Sequence, residues 1–207
     1  QAYEGRRLLI AAGSEILVPP IPGLAEALAG GTAITSREAL ELESVPERMV
    51  VIGAGVIGLE LAGFYRSVGA EIEVVELTDH IGGNMDRETA AALRKQYERK
   101  GIRFHLSARV TRIDDKQVSI EGPEGETALE APLLLLAAGR KPRVEGYGLE
   151  RAGIHTDRGR IVTDDRCRTN VPGIYAAGDV NGVWMLAHAA YREAETAVAH
   201  MLGKDTR

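Results

Sequence analysis

Two hydrophobic rhythms alternate along this 207-residue chain. A β-branched apolar run occurs at MVVIG (49–53) and a continuous apolar run at PLLLLAAG (132–139), and EIEVVE (71–76) and IRFHL (102–106), in which charged residues interrupt apolar ones, read as further strands beside them. Such runs predict strands buried on both faces of a parallel sheet. Between them, LELAGFYRSVG sets Leu59, Ala62, Phe64, Tyr65 and Val68 at helical spacing and stops at Gly69. DRETAAALRKQYERKG (86–101) reads as a second helix, capped by Asp86, ended by Gly101 and carrying a solvated, charge-paired face. The period then changes to two. RVTRIDD, QVSIEG and ETALEA, separated by DDK and GPEG, predict a short antiparallel meander. The fold class is therefore α/β: a Rossmann-like three-layer domain with a meander over residues 43–142, flanked by segments 1–42 and 143–207.

The first buried run leads into Gly53, Gly55 and Gly58, spaced G-x-G-x-x-G, and then into a helix. Gly53 permits a tight turn, Gly55 lets a pyrophosphate approach the backbone, and Gly58 lets helix and strand pack closely. The helix start, with Val56 and Ile57, offers free N–H groups and a partial positive charge to phosphates. A second strand ends in Glu76, about 18 residues after the last glycine, where a carboxylate meets the adenosine ribose hydroxyls. An acid there repels a 2′-phosphate, and the LTDH that follows has no arginine to attract one. Strand, glycines, helix and acid together predict a dinucleotide site that prefers NAD over NADP.

Three strands share one ending. RRLLIAAGS (6–14), LLLLAAGRKP (133–142) and IYAAGDV (174–180) each run from apolar residues into A-A-G. Each tip brings bare backbone to the end of its strand, and as a set they predict repeated contact with a ligand.

Composition removes several functional classes. Apolar content of 44% and charged content of 27% are those of an ordinary globular protein. A net charge of −5 without a lysine or arginine cluster argues against nucleic acid. No apolar run reaches the roughly 20 residues of a membrane span, and QAYEGRRLLIAAGS is not built as a signal peptide. The single Cys167 offers neither an intramolecular disulfide nor metal-ligand spacing, and is read as a small strand residue. No metal site is expected, and a reducing, cytoplasmic compartment fits.

With these motifs laid out, the chain resembles the flavoprotein disulfide reductases, colinearly over nearly all its length. LLIAAGSEILVPPIPG resembles that family's crossover out of its FAD domain, although Ala12 stands where threonine is usual. VVIGAGVIGLELA resembles its NAD(P) fingerprint, LLLLAAGRKP the end of its NAD domain, and TNVPGIYAAGDV its second FAD motif. WMLAHAAYREA resembles the segment passing under the flavin, with departures at Ala189 and Ala194. Val56-Ile57 and Glu76 look most like the dihydrolipoamide dehydrogenase branch, which uses NAD.

The resemblance implies roles for individual residues. Gly53, Gly55, Val56, Ile57, Gly58 and Glu76 would hold NAD, with Gly139 on the nicotinamide side. Glu60 would face the flavin and pair with a lysine; read alone, it is a solvent-facing helix acid. Ala12, Gly13, Gly178 and Asp179 would meet FAD, with Asp179 at its ribityl–pyrophosphate region; read alone, Asp179 is a turn residue. Met185, Leu186, Ala187 and His188 would line the flavin, chiefly through N–H groups at a helix start. His188 reads equally as a surface histidine near that start, and not as a catalytic base.

The family's first FAD motif, its C-x4-C redox pair and its acid–base histidine are absent from this sequence. The expected reading is an internal piece of the whole enzyme: the second half of a flavin domain wrapped around an NAD domain. Such a piece would bind FAD only with the segment before it, and with one cysteine it would not perform dithiol–disulfide exchange. The full-length protein would oxidise a dihydrolipoyl dithiol with NAD through FAD, as a homodimer and in partnership with a 2-oxoacid dehydrogenase complex. The alternatives are another FAD oxidoreductase (mercuric or glutathione reductase, NADH oxidase, ferredoxin reductase) or a non-catalytic NAD-binding module.

Overall fold

A computed structural model describes residues 4–204. The outermost residues of the 1–42 and 143–207 segments, 1–3 and 205–207, lie outside that range. The chain divides into two compact units. One runs from Ile16 to Gly139; the other joins the described residues up to Glu15 with those from Arg140 onward.

The continuous unit is built on a parallel five-stranded sheet, ordered Ala33–Ile34, Leu134–Leu136, Arg48–Ile52, Glu71–Val75, Arg103–His105. Its central strands are mostly apolar because both faces are covered, Glu73 being the buried exception. Met49 and Val51 enter a core with Leu59, Ala62, Tyr65 and Ala90 from the helices Val56–Ser67 and Arg87–Arg99. Val50 and Ile52 enter a second core with Val110, Ile113, Val118 and Ile120. Burying each large apolar side chain contributes about 1.5–3 kcal/mol, which is why strands of two to five residues suffice.

The second core lies under the meander Arg109–Asp114, Gln117–Gly122 and Gly125–Glu130. Its middle strand points Val118 and Ile120 inward and Gln117 and Glu121 outward, the period-two pattern seen in the sequence. Asp86 caps its helix by accepting from the Thr89 N–H at 3.0 Å, and Gly101 follows that helix with φ +89°.

The boundaries differ from the sequence-based expectation. Residues 16–42, expected with the flavin segment, pack within the continuous unit. Leu24 and Ala27 of the Leu24–Gly30 helix are buried in its second core. Ala33–Ile34 pairs with Leu134–Leu135 as an edge strand. Residues 140–142, expected at the end of the NAD domain, fall in the other unit.

In that discontinuous unit Leu8–Ile10 pairs in parallel with Ile174–Ala176. Ile10 and Ala176 pack with Leu149, Ile154, Ile161 and Val180. On the opposite face, Tyr175 and Leu9 pack with Cys167, Ala197 and Met201, the last two from the Ala187–Met201 helix. No helix among the described residues is long and apolar enough to cross a membrane.

Candidate functional site

The glycine turn lies between the Arg48–Ile52 strand and the Val56–Ser67 helix. A methyl group on Gly53 would stand 2.5 Å from the Ala137 carbonyl oxygen, and the residue has φ +103°. A methyl group on Gly58 would stand 2.1 Å from the Gly53 carbonyl oxygen. Gly55 is different: nothing lies within 4 Å of where its Cβ would be. Two of the three glycines are therefore required by packing, and the middle one leaves the approach to the backbone open. No side chain caps the helix, and the N–H groups of Val56, Ile57 and Gly58 have no acceptor among the described residues. Val56 and Ile57 expose their side chains at this end.

Glu76 sits against the turn. Its Oε2 accepts from the Ala54 N–H at 2.7 Å. Its Oε1 accepts from the Thr78 N–H at 2.9 Å and the Thr78 hydroxyl at 2.8 Å. The acid thus braces the loop between the first and second glycines, a role that spacing alone did not reveal. Glu60 is exposed, without an ion pair or hydrogen bond among the described residues. Gly139 is exposed at its strand tip with φ +114°.

In the other unit Ala12, Gly13, Gly178 and Asp179 follow the tips of the paired strands, both glycines at positive φ. Asp179 Oδ2 accepts from the Ser14 hydroxyl at 2.5 Å. Ser14 Oγ accepts from Arg140 Nε at 2.7 Å. Glu193 Oε2 accepts from the Gly178 N–H at 2.6 Å and the buried Asn181 amide at 2.9 Å, holding the A-A-G-D turn onto the long helix. Met185, Leu186, Ala187 and His188 are exposed at that helix's start. Leu186, the cap, supplies no side-chain bond, and the Ala187, His188 and Ala189 N–H groups have no acceptor among the described residues. The predicted residues thus gather into two groups, one in each unit.

Ser14, Arg140, Asn181 and Glu193 were not singled out from the sequence. The signal for the first two was present, since each directly follows an A-A-G tip. No group of three or more His, Cys, Asp or Glu among the described residues is placed to hold a metal.

Cys167 is not in a strand. It follows a turn, with φ +60° and its N–H bonded to the Asp164 carbonyl at 3.0 Å. The Asp164 side chain accepts from the Arg166 and Arg168 N–H groups, which folds the chain back locally in place of an extended run. Burial, with the charges of Glu193, Asp164 and Asp165, pushes the thiol up to about 11. It therefore stays protonated and unreactive at neutral pH. A thiol reagent at pH 8 should label the folded chain far more slowly than the urea-unfolded chain; equal rates would refute the buried placement.

Comparison with known proteins agrees with this arrangement. The family model described as "Pyridine nucleotide-disulphide oxidoreductase" matches residues 1–194. The dihydrolipoyl dehydrogenase of Acholeplasma laidlawii is 41% identical over 202 residues, covering 98% of this chain and 60% of that protein. The mitochondrial dihydrolipoyl dehydrogenase of Homo sapiens is 40% identical, covering 98% of this chain and 41% of that protein. The chain thus spans between about two fifths and three fifths of these relatives' length. The HOCl-induced flavoprotein disulfide reductase RclA from Escherichia coli, in its Cu(II) complex, superposes with a TM-score of 0.86 at 27% identity, covering 98% of this chain and 46% of that one. Matched along nearly its whole length by the family model and by relatives sharing two fifths of its residues, the chain belongs to the pyridine nucleotide-disulphide oxidoreductases, flavoprotein oxidoreductases that work with FAD and NAD.

Proposed function

We propose that residues 16–139 bind NAD and that the discontinuous unit supplies the later part of an FAD site, in a protein that oxidises dihydrolipoyl dithiols. The observation that carries this reading is Glu76 bonded to the Ala54 N–H inside the glycine turn. The carboxylate is held beside open backbone at Gly55 and uncapped helix N–H groups. Phosphates fit the N–H groups, and a ribose diol fits the carboxylate.

The residues of the discontinuous unit also fit a flavin. Asp179 offers a carboxylate, and the exposed Met185–His188 stretch offers N–H groups beside an apolar surface. FAD bound there would carry electrons between a dithiol and NAD. This chain's part is to bind and orient both nucleotides; with Cys167 alone and buried, it holds no dithiol of its own. The whole protein would act as a cytoplasmic homodimer serving a 2-oxoacid dehydrogenase complex.

Calorimetry tests the cofactor assignment. NAD(H) should bind at least about ten-fold more tightly than NADP(H), from like-charge repulsion at Glu76. Equal affinities would remove the basis of the reading. Glu76→Arg should narrow or reverse the preference, and should weaken both ligands because the Ala54 N–H, fully buried with its residue, loses its acceptor.

A further inference from the structure

We propose that Ser14 and Arg140 are positioning residues that orient Asp179 toward its ligand through a one-way hydrogen-bond relay; the proposal rests on the flavin reading of Asp179 above. Each of the three A-A-G tips is followed by a different polar residue: Ser14, Arg140 and Asp179. These three are hydrogen-bonded in a row. Arg140 donates from Nε to Ser14 Oγ at 2.7 Å and from Nη2 to the Ser14 carbonyl at 2.9 Å. Ser14 Oγ lies 2.5 Å from Asp179 Oδ2.

The direction of the protons is forced. A guanidinium has no acceptor, so the serine hydroxyl must accept from Arg140 and can only turn its single proton toward Asp179. Two bonds from one planar guanidinium fix the serine at both its hydroxyl and its carbonyl. The serine in turn fixes one carboxylate oxygen. Asp179 Oδ1 makes no hydrogen bond among the described residues. The carboxylate is therefore held with one oxygen occupied and one presented, and the presented oxygen accepts from a ligand hydroxyl. The arginine lies one residue further from the ligand and serves by aiming the serine, so neither Ser14 nor Arg140 needs to touch the ligand.

The test uses the full-length gene product, stripped of flavin and titrated with FAD by flavin fluorescence. Ser14→Ala and Arg140→Met should each weaken FAD about ten-fold, the loss of one charge-assisted hydrogen bond. Ser14→Thr, which keeps the hydroxyl, should restore affinity to within about two-fold. Arg140→Lys should not rescue, because an ammonium cannot bridge hydroxyl and carbonyl with a rigid fork. In an Asp179→Asn background, Ser14→Ala should cost little further, the coupling expected of residues acting in series.

Losses that add independently, or a Ser14→Ala protein that is merely less stable while holding FAD normally, would overturn the relay. An Asp179→Asn protein with undiminished FAD affinity would instead overturn the flavin reading, and the relay with it. Should Ser14→Ala fail to fold, the unaltered protein still decides the question. Its Arg140 Nε–H nitrogen–proton resonance should be protected from solvent exchange, and rapid exchange would refute the bond.

Discussion

Replacing Gly58 with alanine should destabilise the nucleotide unit by about 3 kcal/mol and abolish measurable NAD binding, whereas the same replacement at Gly55 should leave stability unchanged and still weaken NAD. The two glycines belong to one motif but answer to different forces. At Gly58 the added methyl would meet the Gly53 carbonyl oxygen at 2.1 Å and the Ala137 side chain at 3.2 Å. Neither can yield without moving the Arg48–Ile52 strand or the helix it feeds, both anchored in the cores. For a domain of this size the loss corresponds to a fall in melting temperature of roughly 10 °C. At Gly55 the backbone is extended, with φ −73°, a conformation alanine adopts freely, and no atom stands within 4 Å. The methyl would instead occupy the approach to the helix N–H groups and weaken NAD by about 2–3 kcal/mol. Thermal melts and calorimetry on the two variants separate the cases. A Gly55→Ala chain that binds NAD as tightly as the unaltered one would end the assignment of the turn.

The second large effect is expected at Glu73, a buried acid on the Glu71–Val75 strand. Its Oε1 accepts from Arg103 Nη2 at 2.7 Å, and its Oε2 lies 2.8 Å from His105 Nε2, both on the adjacent strand. Burial alone would raise its carboxyl; the bonds from Arg103 and His105 outweigh that and hold it below its ordinary 4.5. The folded state therefore binds fewer protons than the unfolded state, so this contribution is fully present above about pH 4.5 and is lost as pH falls through the lower, folded value. Glu73→Ala should cost about 1–2 kcal/mol at pH 7, since it leaves a partly buried imidazole without its acceptor, while the exposed Arg103 guanidinium returns to water. Glu73→Gln should cost less and flatten the fall of the urea midpoint as pH drops below about 4.5. An unchanged acid limb in that variant would show that other carboxylates set the dependence.

Much of this was legible in the sequence because the relevant physics is local. A strand covered on both faces is apolar at nearly every position, so Met49–Ile52 announces itself; a half-exposed meander alternates, so Gln117–Gly122 does too. The glycine spacing marked the tight turn between the Arg48–Ile52 strand and the Val56–Ser67 helix. What escaped depended on contacts far apart in the chain. The Leu24–Gly30 helix has no strong periodicity, and only packing beneath the meander assigns it to the continuous unit. Ser14 meets Arg140 126 residues away and Asp179 165 residues away, distances no local pattern encodes. Cys167 was read as extended because its neighbours are polar and unremarkable, whereas the Asp164 side chain bends the backbone there into a left-handed position.

The Leu17 N–H donates to the Gly139 carbonyl at 3.0 Å, so the two ends of the continuous unit meet. That bond bears on the order in which the molecule assembles. Pairing Leu8–Ile10 with Ile174–Ala176 from an unfolded chain would require closing a loop of more than 150 residues, an entropic penalty of roughly 4 kcal/mol against a ladder only three residues long. Once residues 16–139 have folded, their ends already lie together and most of that penalty has been met by a sheet and two cores that form on their own. The discontinuous unit is thus the late partner in folding. In pulse-labelling hydrogen exchange, Val50 and Val74 amides should gain protection before those of Tyr175 and Ala176, and the reverse order would show that the long loop closes unaided.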